Sequence, residues 1–185
     1  HLFDRLKRAE FGDIILATSA LAGDDPIAIF ADAEGVTVFS GDEEDWSNRI
    51  LQAALTHDVE AIVRVTADCP MIDPATVDLV GDTLISSGAD YVSPDWPRAT
   101  LPTGMGCEGV LRSALERLHR SPDPKTAEQR WLSFLTTDDG YHPASVPTRA
   151  ALGDHRVTVD EPADFEVVKQ LLDKLLPNNS DYTLA

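Results

Sequence analysis

Segments with helical spacing and segments with strand character alternate along this chain at short intervals, and that alternation restricts the fold more than any one motif does. Leu2, Phe3 and Leu6 share a helical face, Gly12 closes that helix, and the apolar run 13–19 follows as a strand. A helix over 25–34 then leads through Gly35 to a short strand at 36–39. The spacing of Trp46, Ile50, Leu51 and Ala54 predicts a helix over 43–55, and a strand follows at 61–66. Asp73 and Pro74 give an N-cap and a first-turn signal for a helix to about residue 87, and Gly88 precedes a strand at 89–93. The remaining expectations are a strand at 107–111, helices at 113–119 and 127–136, an extended piece at 143–146, a strand at 156–160 and a helix at 162–176. Repeated strand and helix units with short connections predict an α/β fold, a mostly parallel sheet covered on both faces with right-handed crossovers. Neither a linker nor a repeat interrupts it, so residues 1–176 read as a single domain and 177–185 as a loose C-terminal tail.

Charge narrows the function classes. Of 185 residues, 32 are Asp or Glu and 15 are Lys or Arg, for a net charge of −17, and no basic run stands out. Such a chain repels the phosphates of DNA or RNA, so nucleic acid is not an expected partner. No stretch has the roughly 20 consecutive apolar residues of a membrane helix, and residues 1–10 lack the pattern of a signal peptide, so a cytoplasmic protein is expected. The acids are 22 Asp to 10 Glu and the bases 11 Arg to 4 Lys, a skew that points to a protein solvated for high salt. Cys69 and Cys107 have no metal-ligand spacing and read as buried reduced thiols.

The chemistry is written in a repeated pentapeptide. Arg64-Val65-Thr66-Ala67-Asp68 and Arg156-Val157-Thr158-Val159-Asp160 both read R-V-T-x-D. A side-chain period of two puts the Arg, Thr and Asp of each copy on one face and the valines on the other. In open parallel sheets ligands collect beyond the carboxyl ends of strands, where both aspartates would emerge. An arginine inside a strand needs an anion beside it, because an unpaired buried charge costs several kcal/mol. Two aspartates converging from separate strands repel unless a cation lies between them, and hard oxygen donors suit Mg²⁺ or Mn²⁺. A plainer role is open: Asp68 and Asp160 each precede a proline by two residues and could cap the helices that follow. The Pro- and Gly-rich segment 93–106 is expected to form a lid or pocket wall, with Trp96 in it.

Residues 63–74, VRVTADCPMIDP, taken with residues 156–165, RVTVDEPADF, resemble the cytidylyltransferase family, and its acylneuraminate and spore-coat-polysaccharide branches in particular. Further matches follow in order at 1–19, 39–54, 88–93 and 104–110. The resemblance implies a Rossmann-like, three-layer α/β/α nucleotidyltransferase domain of GT-A-like type. In it a sugar hydroxyl attacks the α-phosphate of CTP and pyrophosphate leaves, for surface polysaccharide or glycoconjugate synthesis. The implied partners are CTP and an acidic sugar acceptor, with a homodimer open as the assembly. Asp68 and Asp160 match the metal-binding aspartates of the family, with Mg²⁺ or Mn²⁺ as the cofactor. Glu108 matches an acid that accepts hydrogen bonds from the sugar, and Arg49, four residues after Asp45, matches a helix arginine that reaches substrate or phosphate. Arg64 joins them as a nucleotide- or substrate-binding residue. The family's first strand and its Gly-, Arg- and Lys-rich loop have no counterpart here, so the domain is expected to lack that strand and loop, and a chain truncated in this way is expected to be inactive. Ala127-Glu128-Gln129 and Gly106 also depart from the family pattern.

Two other readings remain at this point: a GT-A-type glycosyltransferase using a nucleotide sugar, and a non-catalytic homologue of the fold. There is no G-x-x-x-x-G-K-[ST], no G-x-G-x-x-G after a strand and no G-x-S-x-G. The histidines show no metal spacing, and Trp46 and Trp131 fall at apolar helical positions, where packing is the expected role.

Overall fold

In a computed structural model, which describes residues 1–97, 100–120, 126–135, 140–146, 154–177 and 182, the alternation read from the sequence is present. The elements in order are α1 (Leu2–Leu6), β1 (Ile15–Ser19), α2 (Asp25–Ala33), β2 (Thr37–Gly41), α3 (Trp46–Thr56), β3 (Ala61–Arg64), α4 (Pro74–Ser87), β4 (Tyr91–Val92), β5 (Glu108–Leu111), α5 (Arg112–Arg120), α6 (Ala127–Leu132), β6 (Pro143–Ala144) and α7 (Pro162–Leu175). α3 begins at Trp46 rather than at residue 43 because the Asp45 side chain accepts the Asn48 N–H and caps it. α4 starts where expected: Asp73 accepts from the Ala75 N–H at 3.2 Å, and Gly88, at φ +71°, ends the helix in the left-handed region.

β1 and β2 pair in parallel, and a second sheet has the order β3-β5-β4-β6. β5 is antiparallel to both β3 and β4, while β4 and β6 are parallel, so β5 alone runs against its sheet. Helices cover both faces of this sheet. Ile62 and Tyr91 pack with Leu51 of α3, with Ala114, Leu115 and Leu118 of α5, and with Trp131 of α6. Ala61, Val63 and Val92 pack on the other face with Val77, Val80 and Leu84 of α4. Neighbouring residues of one strand thus enter different layers, as a period of two requires, and the arrangement is the expected three-layer α/β/α fold. No described helix is long and apolar enough to cross a membrane.

Residues 156–160 do not form the strand expected of them. Arg156 makes an isolated bridge with Thr103, and the Val159 N–H donates to the Asp68 carbonyl at 2.9 Å. The segment lies between two irregular loops, which offer single contacts but no continuous ladder. Its alternation survives: Val157 and Val159 pack with Val168 of α7, and the side chains of Arg156 and Thr158 meet at Asp160. The tail is tied down at Tyr182, which is buried and whose carbonyl accepts from the fully buried Arg5.

Gly104 fixes the close approach of the 93–106 loop to this segment. Its φ is +99°, and a Cβ there would lie 2.7 Å from the Thr158 nitrogen. Gly104→Ala is therefore expected to lower the unfolding free energy by about 3 kcal/mol, combining backbone strain with overlap. Urea melts check this; a loss below about 0.5 kcal/mol, the range of ordinary surface substitutions, would show that the contact is slack.

Candidate active site

β3 ends in Arg64, and the register places it opposite Glu108, the first residue of β5. The guanidinium Nη1 lies 2.5 Å from Glu108 Oε2, and both side chains are about a quarter exposed, at 26% and 25%. The anion expected beside a strand arginine is thus a carboxylate of the same sheet. Glu108 Oε1 accepts the Tyr91 hydroxyl and, at 3.1 Å, the Trp131 indole N–H. Arg64 also lies over Trp46 at 4.4 Å and Trp131 at 5.3 Å. Those tryptophans pack, as expected, but they also form a cage that holds the guanidinium in place. Burial, and after it the negative charge of Glu108, raises the pKa of Tyr91, so this phenol stays a donor.

Arg64 and Glu108 line a pocket of about 280 Å³ together with Thr66, Ser93, Asp95 and Trp96. Trp96 is a pocket wall, as the composition of its loop suggested. Asp95 went unnoticed in the sequence. Its carboxyl pKa is raised by burial first and by the charge of Glu108 second, and its Oδ2 lies 2.4 Å from where a Cβ on Gly106 would stand. No periodicity links residues 95 and 106; only the fold does.

A second cavity, of about 1050 Å³, lies between β1 and β3 and also takes in Arg64 and Thr66. Both strands are at the edges of their sheets. Arg49 lines this cavity. It does not pair with Asp45 four residues earlier, because Asp45 caps α3 and its carboxylate lies 2.5 Å from the Arg130 guanidinium. Arg49 instead donates to the carbonyls of Asp42 and Glu43, while its Nε is buried with no hydrogen-bond partner.

The two R-V-T-x-D copies meet. The bond from the Val159 N–H to the Asp68 carbonyl sets their carboxyl ends side by side. Neither aspartate caps a helix: Asp73 caps α4, and Glu161 and Asp164 form the capping box of α7. Asp160 Oδ2 accepts from Thr158 Oγ1 at 3.0 Å and from the Arg156 guanidinium, which also lies 3.8 Å from Asp164. Among the described residues no group of three or more His, Cys, Asp or Glu side chains is placed to hold a metal ion. Carboxylate oxygens such as those of Asp68 and Asp160 are the donor type that Mg²⁺ or Mn²⁺ prefers.

No protein-family model matches the chain. It is 26% identical over 169 residues to the spore coat polysaccharide biosynthesis protein SpsF of Bacillus subtilis, a match covering 88% of this chain and 68% of that protein. Among solved structures, a cytidylyltransferase from Leptospira borgpetersenii aligns at TM-score 0.88 and 27% identity, over 98% of this chain and 77% of that one. A CMP:2-keto-3-deoxy-manno-octonic acid synthetase complexed with CTP shares the fold at TM-score 0.65 and 15% identity, over 94% of this chain and 86% of that one. The chain is thus similar to cytidylyltransferases in sequence and in fold, as its motifs indicated.

Proposed function

We propose that this protein transfers CMP from CTP to a sugar hydroxyl, releasing pyrophosphate, in the synthesis of a surface polysaccharide or glycoconjugate. The observation that carries the proposal is the Val159 to Asp68 hydrogen bond, which joins two acidic R-V-T-x-D segments separated by about half the chain. The adjoining cavities support it: the larger has room for a nucleotide, the smaller for a sugar, and Arg64 and Thr66 stand at their junction. In the reaction the hydroxyl oxygen bonds to the α-phosphorus as the bond to the bridging oxygen of the leaving pyrophosphate breaks, and the hydroxyl proton passes to solvent.

Asp68 and Asp160 would hold the divalent cation, which when bound supplies charge neutralisation and orientation for the triphosphate. Arg156 keeps Asp160 neutralised until then. Arg49 lines the larger cavity and is assigned to the phosphates. Glu108 fixes Arg64 and keeps acceptor capacity beyond its three donors for a sugar hydroxyl. Residues 1–176 are read as a single nucleotidyltransferase-like domain. Residues 177–185 remain a tail in this reading, anchored by Tyr182.

Loss of one charge-assisted hydrogen bond costs roughly 1.5–3 kcal/mol. Arg49→Ala in the full-length protein is therefore expected to raise the KM for CTP by about tenfold or more, with kcat little changed. Steady-state pyrophosphate release measures both. An unchanged KM would place Arg49 outside the nucleotide site. The function itself is tested by incubating full-length protein with CTP, Mg²⁺ and a panel of sugars. Pyrophosphate release is expected; release of free nucleoside diphosphate from a nucleotide sugar would instead identify a glycosyltransferase.

A further inference from the structure

We infer that the 280 Å³ pocket selects an uncharged or amine-bearing sugar and rejects a sugar acid, with Asp95 as the residue that determines this. The inference rests on the cytidylyl-transfer reading and goes beyond it by naming the acceptor class. It also departs from the acidic acceptor that the family resemblance implied.

Among the described residues, the charges lining the pocket are one cation and two carboxylates: Arg64, Glu108 and Asp95. The cation is committed, since Arg64 is bonded to Glu108 and caged by Trp46 and Trp131. Among the described lining residues a ligand carboxylate would therefore meet no free positive charge, and one uncompensated negative charge. The other polar groups facing the space include the hydroxyls of Thr66 and Ser93, which suit neutral polyols. The Asp95 carboxylate is held by the Thr100 backbone N–H, and among the described residues it has no ion-pair partner. Burial first, and then the negative charge of Glu108, raises its pKa. Sugar hydroxyls or an ammonium group can donate to it; a second carboxylate cannot.

The space it occupies exists because residue 106 is glycine. A Cβ at 106 would stand 2.4 Å from Asp95 Oδ2, so a side chain there must expel the carboxylate from its position. Asp95 and Gly106 together therefore define one face of the pocket.

The test uses full-length protein with CTP and Mg²⁺. CTP binding is established first by calorimetry; its absence would undo the cytidylyl-transfer reading itself and not the acceptor assignment. Binding and pyrophosphate release are then compared for three sets of probes: neutral hexoses and N-acetylhexosamines, hexosamines, and sugar acids, each also tested on Asp95→Asn and Asp95→Ser. The inference expects at least one neutral or amine-bearing sugar to bind at least tenfold more tightly than any sugar acid. In both variants that ratio should fall by tenfold or more. Tighter binding of a sugar acid to the wild type overturns the inference, as does a ratio unchanged in the variants. If no sugar of any class binds at millimolar concentration while CTP does, the pocket is not the acceptor site and the inference falls with it.

Discussion

Asp68→Asn and Asp160→Asn should each reduce kcat in the full-length protein by about a thousandfold, or ~4 kcal/mol of lost transition-state stabilisation. The side chains are nearly isosteric, so only the charge offered to a cation changes. Stability should not fall with activity. Asp160 is about half exposed and its partner Arg156 is equally so, and exposed ion pairs contribute at most about 1 kcal/mol. Single-turnover kinetics with saturating CTP, beside thermal melts of the same samples, separate the two effects. Retention of more than about a tenth of wild-type kcat in either variant would remove that aspartate from the reaction.

The second large effect is on stability. Glu108→Ala leaves the Arg64 guanidinium, the Tyr91 hydroxyl and the Trp131 N–H without their shared acceptor. Breaking a buried ion pair by removing one partner costs about 3–5 kcal/mol. The pair here is a quarter exposed, which places the expected loss near ~3 kcal/mol. Pairing Glu108→Leu with Arg64→Leu removes both charges, and the double variant should be more stable than Glu108→Ala alone. Urea unfolding of the three proteins forms the comparison. If the double variant is the least stable of the set, the tryptophan cage and not the ion pair governs this part of the core.

Much of the architecture was legible because its signals are local. Asp73, Pro74 and Gly88 fix the ends of α4 through their own backbone and side-chain chemistry, and the apolar spacing of Ile50, Leu51 and Ala54 fixes the inward face of α3. Strand direction is not local. A period of two tells which residues share a face and nothing about the neighbour's sense, so the antiparallel placement of β5 could not be read. The 156–160 segment has the alternation of a strand without the ladder, because hydrogen bonding depends on what lies beside it. The fate of Asp45 is similar: Arg49 lies four residues away, yet Arg130, distant in sequence, takes the carboxylate.

The candidate site divides in the same way. Arg64 was identified by the cost of a charge in a strand, and its carboxylate partner is Glu108. Asp68 and Asp160 were marked by a repeated pentapeptide, and the fold sets the two copies in contact. Asp95 and its fit against Gly106 had no signature at all, because that contact closes across the turn of a Pro-rich loop. Residues 98 and 99 of the same loop, and Thr136 at the end of the expected helix, lie outside the described residues.

The proposed transfer depends on Asp68 and Asp160 sharing one divalent ion. The most direct measurement is Mn²⁺ binding to full-length protein in the presence of CTP, followed by water-proton relaxation, for the wild type, Asp68→Asn, Asp160→Asn and the double variant. Each single variant should lose Mn²⁺ affinity by at least tenfold, and the double variant should lose less than the product of the two, because one ion cannot be lost twice. Wild-type affinity in either single variant, or two losses that multiply, would contradict a shared ion.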